Sequence, residues 1–197
     1  TRLVGSEMCI RDRENKIYAP KRFPKQGRYS DTDVIRYDKI KELKEIVFDE
    51  KSTYAAKEVY QPITETILYF TDGDYKEKKV VDDRPIIIFA RACDIHAIQR
   101  FDDIYLKNGF EDFYYKRLRD KVKFVLIECP KDGWDTCFCA SMGTNKTDDY
   151  IFGVKVAGED VCIELKDEQF AKYFEGEEKI DSVSYTHLRA HETRSNL

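Results

Sequence analysis

At 197 residues, 42% of them hydrophobic and 13% aromatic, the chain is long enough to bury a real core and fits one domain. Charged residues make up 37%, but their signs are interspersed and the formal balance is only −4, so no basic patch argues for nucleic acid or an anionic membrane. No apolar run approaches the roughly 18 residues that span a bilayer, and no charged-then-apolar leader precedes a cleavage site, so the expectation is a soluble, cytoplasmic protein with no membrane partner.

In a reducing compartment, clustered cysteines serve metal or redox chemistry more readily than structural disulfides. Six are present. The two ends are set apart first. Residues 1–13 (Thr1 to Arg13) and 182–197 (Ser182 to Leu197) have neither helical nor strand periodicity, and both resemble translated sequencing-adapter read-through. They are expected to be non-native tails around a domain of residues 14–181, cut near Asp181. Cys9, His187 and His191 fall in these tails, so the His-X-X-X-His pair is not read as a zinc site.

From Glu14 to Asp38 the chain is polar and turn-rich, with Pro20, Pro24 and Gly27, and is predicted to lie as an extended arm. Ser30 and Asp31 are candidate caps. Ile40, Leu43, Ile46 and Val47 then predict a short amphipathic helix, and Ser52 or Thr53 a helical turn that Pro62 stops. Asp72-Gly73-Asp74 between Ile63–Phe70 and Lys78–Val81 is a hairpin signal. The continuous apolar run from Ile86 to Ala90 is typical of a strand covered on both faces. Asp94 is predicted to cap a helix carrying Ile95, Ile98, Phe101, Ile104 and Tyr105, ended by Asn108-Gly109, and a second helical piece spans Phe110 to Arg119. Val122 to Glu128 is the next buried strand. Tyr150–Val156 and Val161–Leu165 predict a second hairpin, and Glu168–Phe174 a final short helix. The class is therefore α/β (α+β): a small mixed sheet with a central parallel β-α-β unit, flanking hairpins and short helices.

A strand, helix, strand unit of this length makes a right-handed crossover, so both strands end on the same edge of the sheet, where open parallel sheets place their sites. Cys93 follows the first strand and Cys129 the second. The loop leaving Cys129 returns with Cys137 and Cys139 in a Cys-Phe-Cys turn between Gly133 and Gly143. Four convergent thiolates are the ligand set of a four-iron four-sulfur (4Fe-4S) cluster or of structural zinc, against the bland reading of buried or redox-active thiols. Cys162, alternating with Val161 and Ile163 in a strand, is read as core. His96, beside the site, is read as exposed or capping. Asp102-Asp103 and Asp148-Asp149 are neighbours that point in different directions and make no acid–base pair. Trp134 and Phe138 are expected to shield the site from water, and Arg91 and Lys131 to offset thiolate charge.

Three stretches carry a family resemblance: Arg91-Ala92-Cys93-Asp94-Ile95-His96-Ala97-Ile98, Cys137-Phe138-Cys139-Ala140-Ser141-Met142-Gly143-Thr144, and Ser30-Asp31-Thr32-Asp33. Together they resemble the iron–sulfur subunit of anaerobic sulfite reductase and the related beta subunit of soluble nickel-iron sulfhydrogenases, over roughly Tyr18 to Lys179, the sulfite reductase protein most. The resemblance implies a non-catalytic electron-transfer subunit. Its partners would be a flavin-containing reductase subunit and a sirohaem sulfite reductase or hydrogenase catalytic subunit, and Cys93, Cys129, Cys137 and Cys139 would hold the cluster. The chain departs from the family in lacking a Cys-X-X-Cys-X-X-Cys run, so the ferredoxin-like half that follows in the family is expected to be missing. The alternative is a zinc-holding or metal-free docking domain that assembles such a complex.

Overall fold

Ile86–Ala90 (β6) is buried along its whole length, and its alternate side chains enter two different cores. Ile87 and Phe89 join Ile17, Ala19, Val125, Ile127, Phe152 and Val154 on one face of the sheet; Ile86, Ile88 and Ala90 join Ile95, Ile98, Tyr115, Val122 and Phe124 on the other. Period-two alternation thus fills both faces, the pattern of an interior parallel strand.

A computed structural model describes residues 2–3, 15–29, 31–64, 66–77, 82–130, 133–157 and 160–170. In chain order the elements are β1 (Arg2–Leu3), β2 (Lys16–Phe23), β3 (Val34–Lys39), β4 (Leu68–Thr71), β5 (Asp74–Glu77), β6, α1 (Ala92–Tyr105), α2 (Phe113–Arg119), β7 (Val122–Ile127), β8 (Phe152–Ala157) and β9 (Asp160–Leu165). The main sheet runs β1-β9-β8-β7-β6-β2-β3, and β4 with β5 forms a separate two-stranded ribbon. Strands β2, β6, β7 and β8 are mutually parallel, whereas β3 and β9 return antiparallel on the flanks. The expected α/β class, parallel β-α-β unit and flanking hairpins are all present.

Helices α1 and α2 carry the chain from β6 to β7 across one face. Asp112 caps α2 by accepting from the Tyr115 amide at 2.8 Å, and Asp102 ties α1 to α2 by accepting from Tyr115 Oη at 2.7 Å and Arg119 Nε at 3.0 Å. Among the described residues, the return from β7 to β8 has no helix. Residues 128–130 and 133–151 cross the same face without regular structure, held where His96 Nε2 meets the Lys146 carbonyl at 2.7 Å and where Arg119 approaches Asp149 at 3.7 Å. Because a carbonyl only accepts, Nε2 of His96 carries the proton there.

The fold departs from the sequence expectations in several places. Residues 14–38 are not an arm: β2 and β3 form a hairpin within the main sheet. Pro20 fits because the ladder to β6 stops at Tyr18, and beyond it the Pro20 carbonyl accepts from the Val47 amide at 2.8 Å, a side on which no proline N–H is needed. The helix expected over Ile40–Val47 shrinks to a 3-10 turn at Leu43–Glu45, since Ile46 instead bridges to Lys21 at the sheet edge. Ile40 and Ile46 are nevertheless buried, so the spacing foretold burial without fixing backbone conformation. Arg91, not Asp94, is the N-cap of α1. In the first ribbon the first strand is Leu68–Thr71 rather than Ile63–Phe70, with Gly73 at φ +84° in the two-residue turn and Asp74–Glu77 as the second strand; residues 78–81 lie outside the described residues. At the end of the domain, residues 168–170 form one 3-10 turn, the only part of the expected final helix among the described residues. Of the tails, Arg2–Leu3 pairs with Cys162 and Val161 at the edge of β9, while Cys9, His187 and His191 lie outside the described residues.

Candidate metal centre

Parallel register places the site. Ala90 pairs with Leu126, so β6 and β7 end level, and each releases a cysteine within a few residues. Cys93 enters the first turn of α1, and Cys129 follows Glu128, whose amide donates to the Val154 carbonyl at 2.9 Å. The chain then bends back through a string of turns. The Cys137 amide donates to the Trp134 carbonyl at 2.8 Å, and the Thr144 amide to the Cys139 carbonyl at 2.9 Å. Gly133 and Gly143 have φ of +63° and +67°, which side chains rarely adopt.

All four cysteines singled out from the sequence line one cavity of about 960 Å³, together with Arg91 and Trp134. All are free thiols; Cys137 is exposed, the other three half-buried. Among the described residues, no three His, Cys, Asp or Glu side chains stand at the spacing of a single bound metal ion.

Burial pushes the Cys93 thiol up to about 12, with added repulsion from Asp94, Cys129 and Cys139. Cys129 is raised by burial as well, and Arg91 works against that rise. Both thiols are therefore protonated near neutrality, and a metal would bind them only by displacing those protons. Burial also raises the Asp94 carboxyl, opposed by Arg91, and Asp94 accepts from Tyr37 Oη at 3.3 Å.

Positive charge stands beside the sulfurs. Arg91, only 6% exposed, donates from Nη1 to Cys129 Sγ at 3.6 Å, and its guanidinium lies 4.5 Å from the centroid of the Trp134 ring. Elsewhere in the cavity lining, Lys51 sits 5.6 Å from the same ring and donates to Thr136 Oγ1 at 2.9 Å. Lys131, expected in that role, lies outside the described residues. Sequence reasoning missed Lys51, because 85 positions separate it from Thr136 and no local pattern marks it. Phe138 lines the cavity and is itself 70% exposed, beside Met142 at 65%. His96 lines the cavity too, but its Nε2 is engaged by Lys146. The neighbouring carboxylates go separate ways: Asp102 to Arg119 and Tyr115, Asp103 to Lys107 at 2.8 Å.

Four thiols, with Arg91 and Lys51, thus line one cavity. Over 130 residues the chain is 28% identical to sulfhydrogenase 2 subunit beta of Pyrococcus furiosus. The match takes in 66% of this chain but 36% of that subunit, so the chain spans little more than a third of its relative. No family model matches the chain. No solved structure matches it. Among the described residues, no helix is long and apolar enough to cross a membrane.

Proposed function

We propose that this chain is part of an electron-transfer subunit of an oxidoreductase complex, and that Cys93, Cys129, Cys137 and Cys139 hold a 4Fe-4S cluster in it. The observation that carries the reading is the shared cavity: Cys93, after one of two adjacent parallel strands, and Cys129, Cys137 and Cys139, after the other, all line it. The likeness to a sulfhydrogenase beta subunit supports the same class. When bound, such a cluster supplies a store for one electron at a time.

The chain's own residues do the rest. The cysteines lose their protons and bind; Arg91 and Lys51 offset the thiolate charge; Trp134, half-buried beneath Arg91, keeps water from one side. Exposed Cys137, Phe138 and Met142 leave the other side open, where a redox partner can approach. On this reading residues 14–181 are the amino-terminal portion of the subunit, the two terminal segments stand outside it, and a ferredoxin-like portion follows in the intact protein. Electrons pass from a flavin subunit toward a catalytic one, either a sirohaem protein that reduces sulfite or a hydrogenase.

The test is metal analysis of the full chain, purified without oxygen after expression with added iron and sulfide. About four iron and four acid-labile sulfide per chain, with a paramagnetic signal on reduction that Cys93→Ser or Cys129→Ser abolishes, is the expected result. Stoichiometric zinc without iron would overturn it and leave the zinc-holding docking domain.

A further inference from the structure

Arg91 is one of two buried polar or charged side chains recognised among the described residues, the other being Asn15. A buried guanidinium is costly unless its donors are used. Here Nη2 donates to the carbonyls of Phe48 at 2.9 Å and Glu50 at 3.1 Å, Nη1 reaches Cys129 Sγ at 3.6 Å, and the plane lies against Trp134 at 4.5 Å. The same residue is the N-cap of α1, two positions before Cys93. One side chain therefore joins the end of β6, the segment 48–50, the end of β7 and the loop that carries Cys137.

Building on the reading above, we infer that Arg91 is the positioning residue of the thiol centre: its guanidinium clamps Cys129 and Trp134 against segment 48–50, and its charge favours the more negative redox state of what the thiolates hold. Only a planar fork can reach two carbonyls and a sulfur while lying on an indole. A lysine brings one point charge without the planar fork. A positive charge beside Cys129 stabilises the centre after it gains an electron, which raises its reduction potential.

Two substitutions separate clamp from charge, tested in the full chain. Arg91→Lys keeps the charge and loses the fork; Arg91→Met loses both. Trp134 is the chain's single tryptophan, so its fluorescence reports on this site without any metal. In metal-free protein both variants are expected to raise collisional quenching of Trp134 several-fold and to speed amide exchange in 48–50 and 133–137, with β6 and β7 protection retained. In protein loaded with iron and sulfide, Arg91→Met shifts the midpoint potential negative and Arg91→Lys shifts it less. Wild-type quenching and exchange in Arg91→Lys would overturn the clamp, and a loaded Arg91→Met with an unshifted or more positive midpoint would overturn the charge effect. If Arg91→Met does not fold, the Arg91→Lys exchange data decide the clamp. If the wild-type chain takes up no cluster, the charge effect falls with the proposed function, while the metal-free measurements still judge the clamp.

Discussion

The two halves of the thiol cavity are built differently. Cys93 and Cys129 leave the ends of adjacent parallel strands whose residues, Ile88, Phe89, Phe124 and Val125, are all 2% exposed or less. Cys137 and Cys139 ride on consecutive turns held by a few backbone bonds and two positive-φ glycines, with Phe138 and Met142 facing solvent. Packing of the sheet positions the first pair; short-range hydrogen bonds, with the Arg91 and Lys51 contacts to Trp134 and Thr136, position the second. The fold should therefore depend on the strand half and be nearly indifferent to the loop half, whereas metal uptake should need both.

The sharpest contrast comes from truncating the strand half. Phe124→Ala, beneath α1 and against Ile88 and Ile95 in one cluster, is expected to destabilise by about 4 kcal/mol, read as a lower urea midpoint with unchanged slope. A loss under about 1 kcal/mol would break the comparison. In the loop half, Gly133→Ala is expected to cost only about 1 kcal/mol. The added methyl would sit 3.7 Å from Cys137 Cβ, an ordinary contact, so the cost is conformational; Gly143→Ala, with open space at its methyl, should match it in the same unfolding assay.

A pH-dependent element lies beyond both halves, at the β2 edge. Lys21 at 2.6 Å and the Lys41 amide at 2.7 Å hold the Glu45 carboxyl at about 2, below its ordinary 4.5. With the folded value below the unfolded one, this stabilisation is present above about pH 4.5 and disappears as pH falls toward 2. Glu45→Gln should therefore cost about 1 kcal/mol at pH 7, after allowance for solvent screening, and converge on the wild type near pH 2 in urea titrations. Smallest of all, Cys137→Ser with Cys139→Ser should alter stability of the metal-free chain by less than about 0.5 kcal/mol, while iron content after reconstitution falls to background. A large loss of stability without metal would mean that the turns are part of the fold.

Strands β6 and β7 were legible because both faces of each are covered, which leaves an unbroken apolar signature in Ile86–Ala90 and a nearly unbroken one in Val122–Ile127. Strand β2 was hidden by Lys16, Lys21, Arg22 and Pro20. Its buried residues are Ile17, Ala19 and Pro20, too few to stand out, and its backbone partners come from β3, β6 and Val47. The helix expected at Ile40–Val47 failed for a related reason: a bridge from Ile46 to the sheet edge outcompeted helical bonds that only a few residues would have made.

Taken alone, the amino-acid order determined the parallel β-α-β unit and the identity of the four thiols, since hydrophobic runs and residue chemistry are local properties. Tertiary structure alone decided that Arg91 reaches Phe48, Glu50 and Cys129, that Lys51 lies over Trp134, and that Phe138 faces water. Those contacts join segments dozens of positions apart, and their geometry follows from how the sheet edge and its loops pack, which no local pattern encodes.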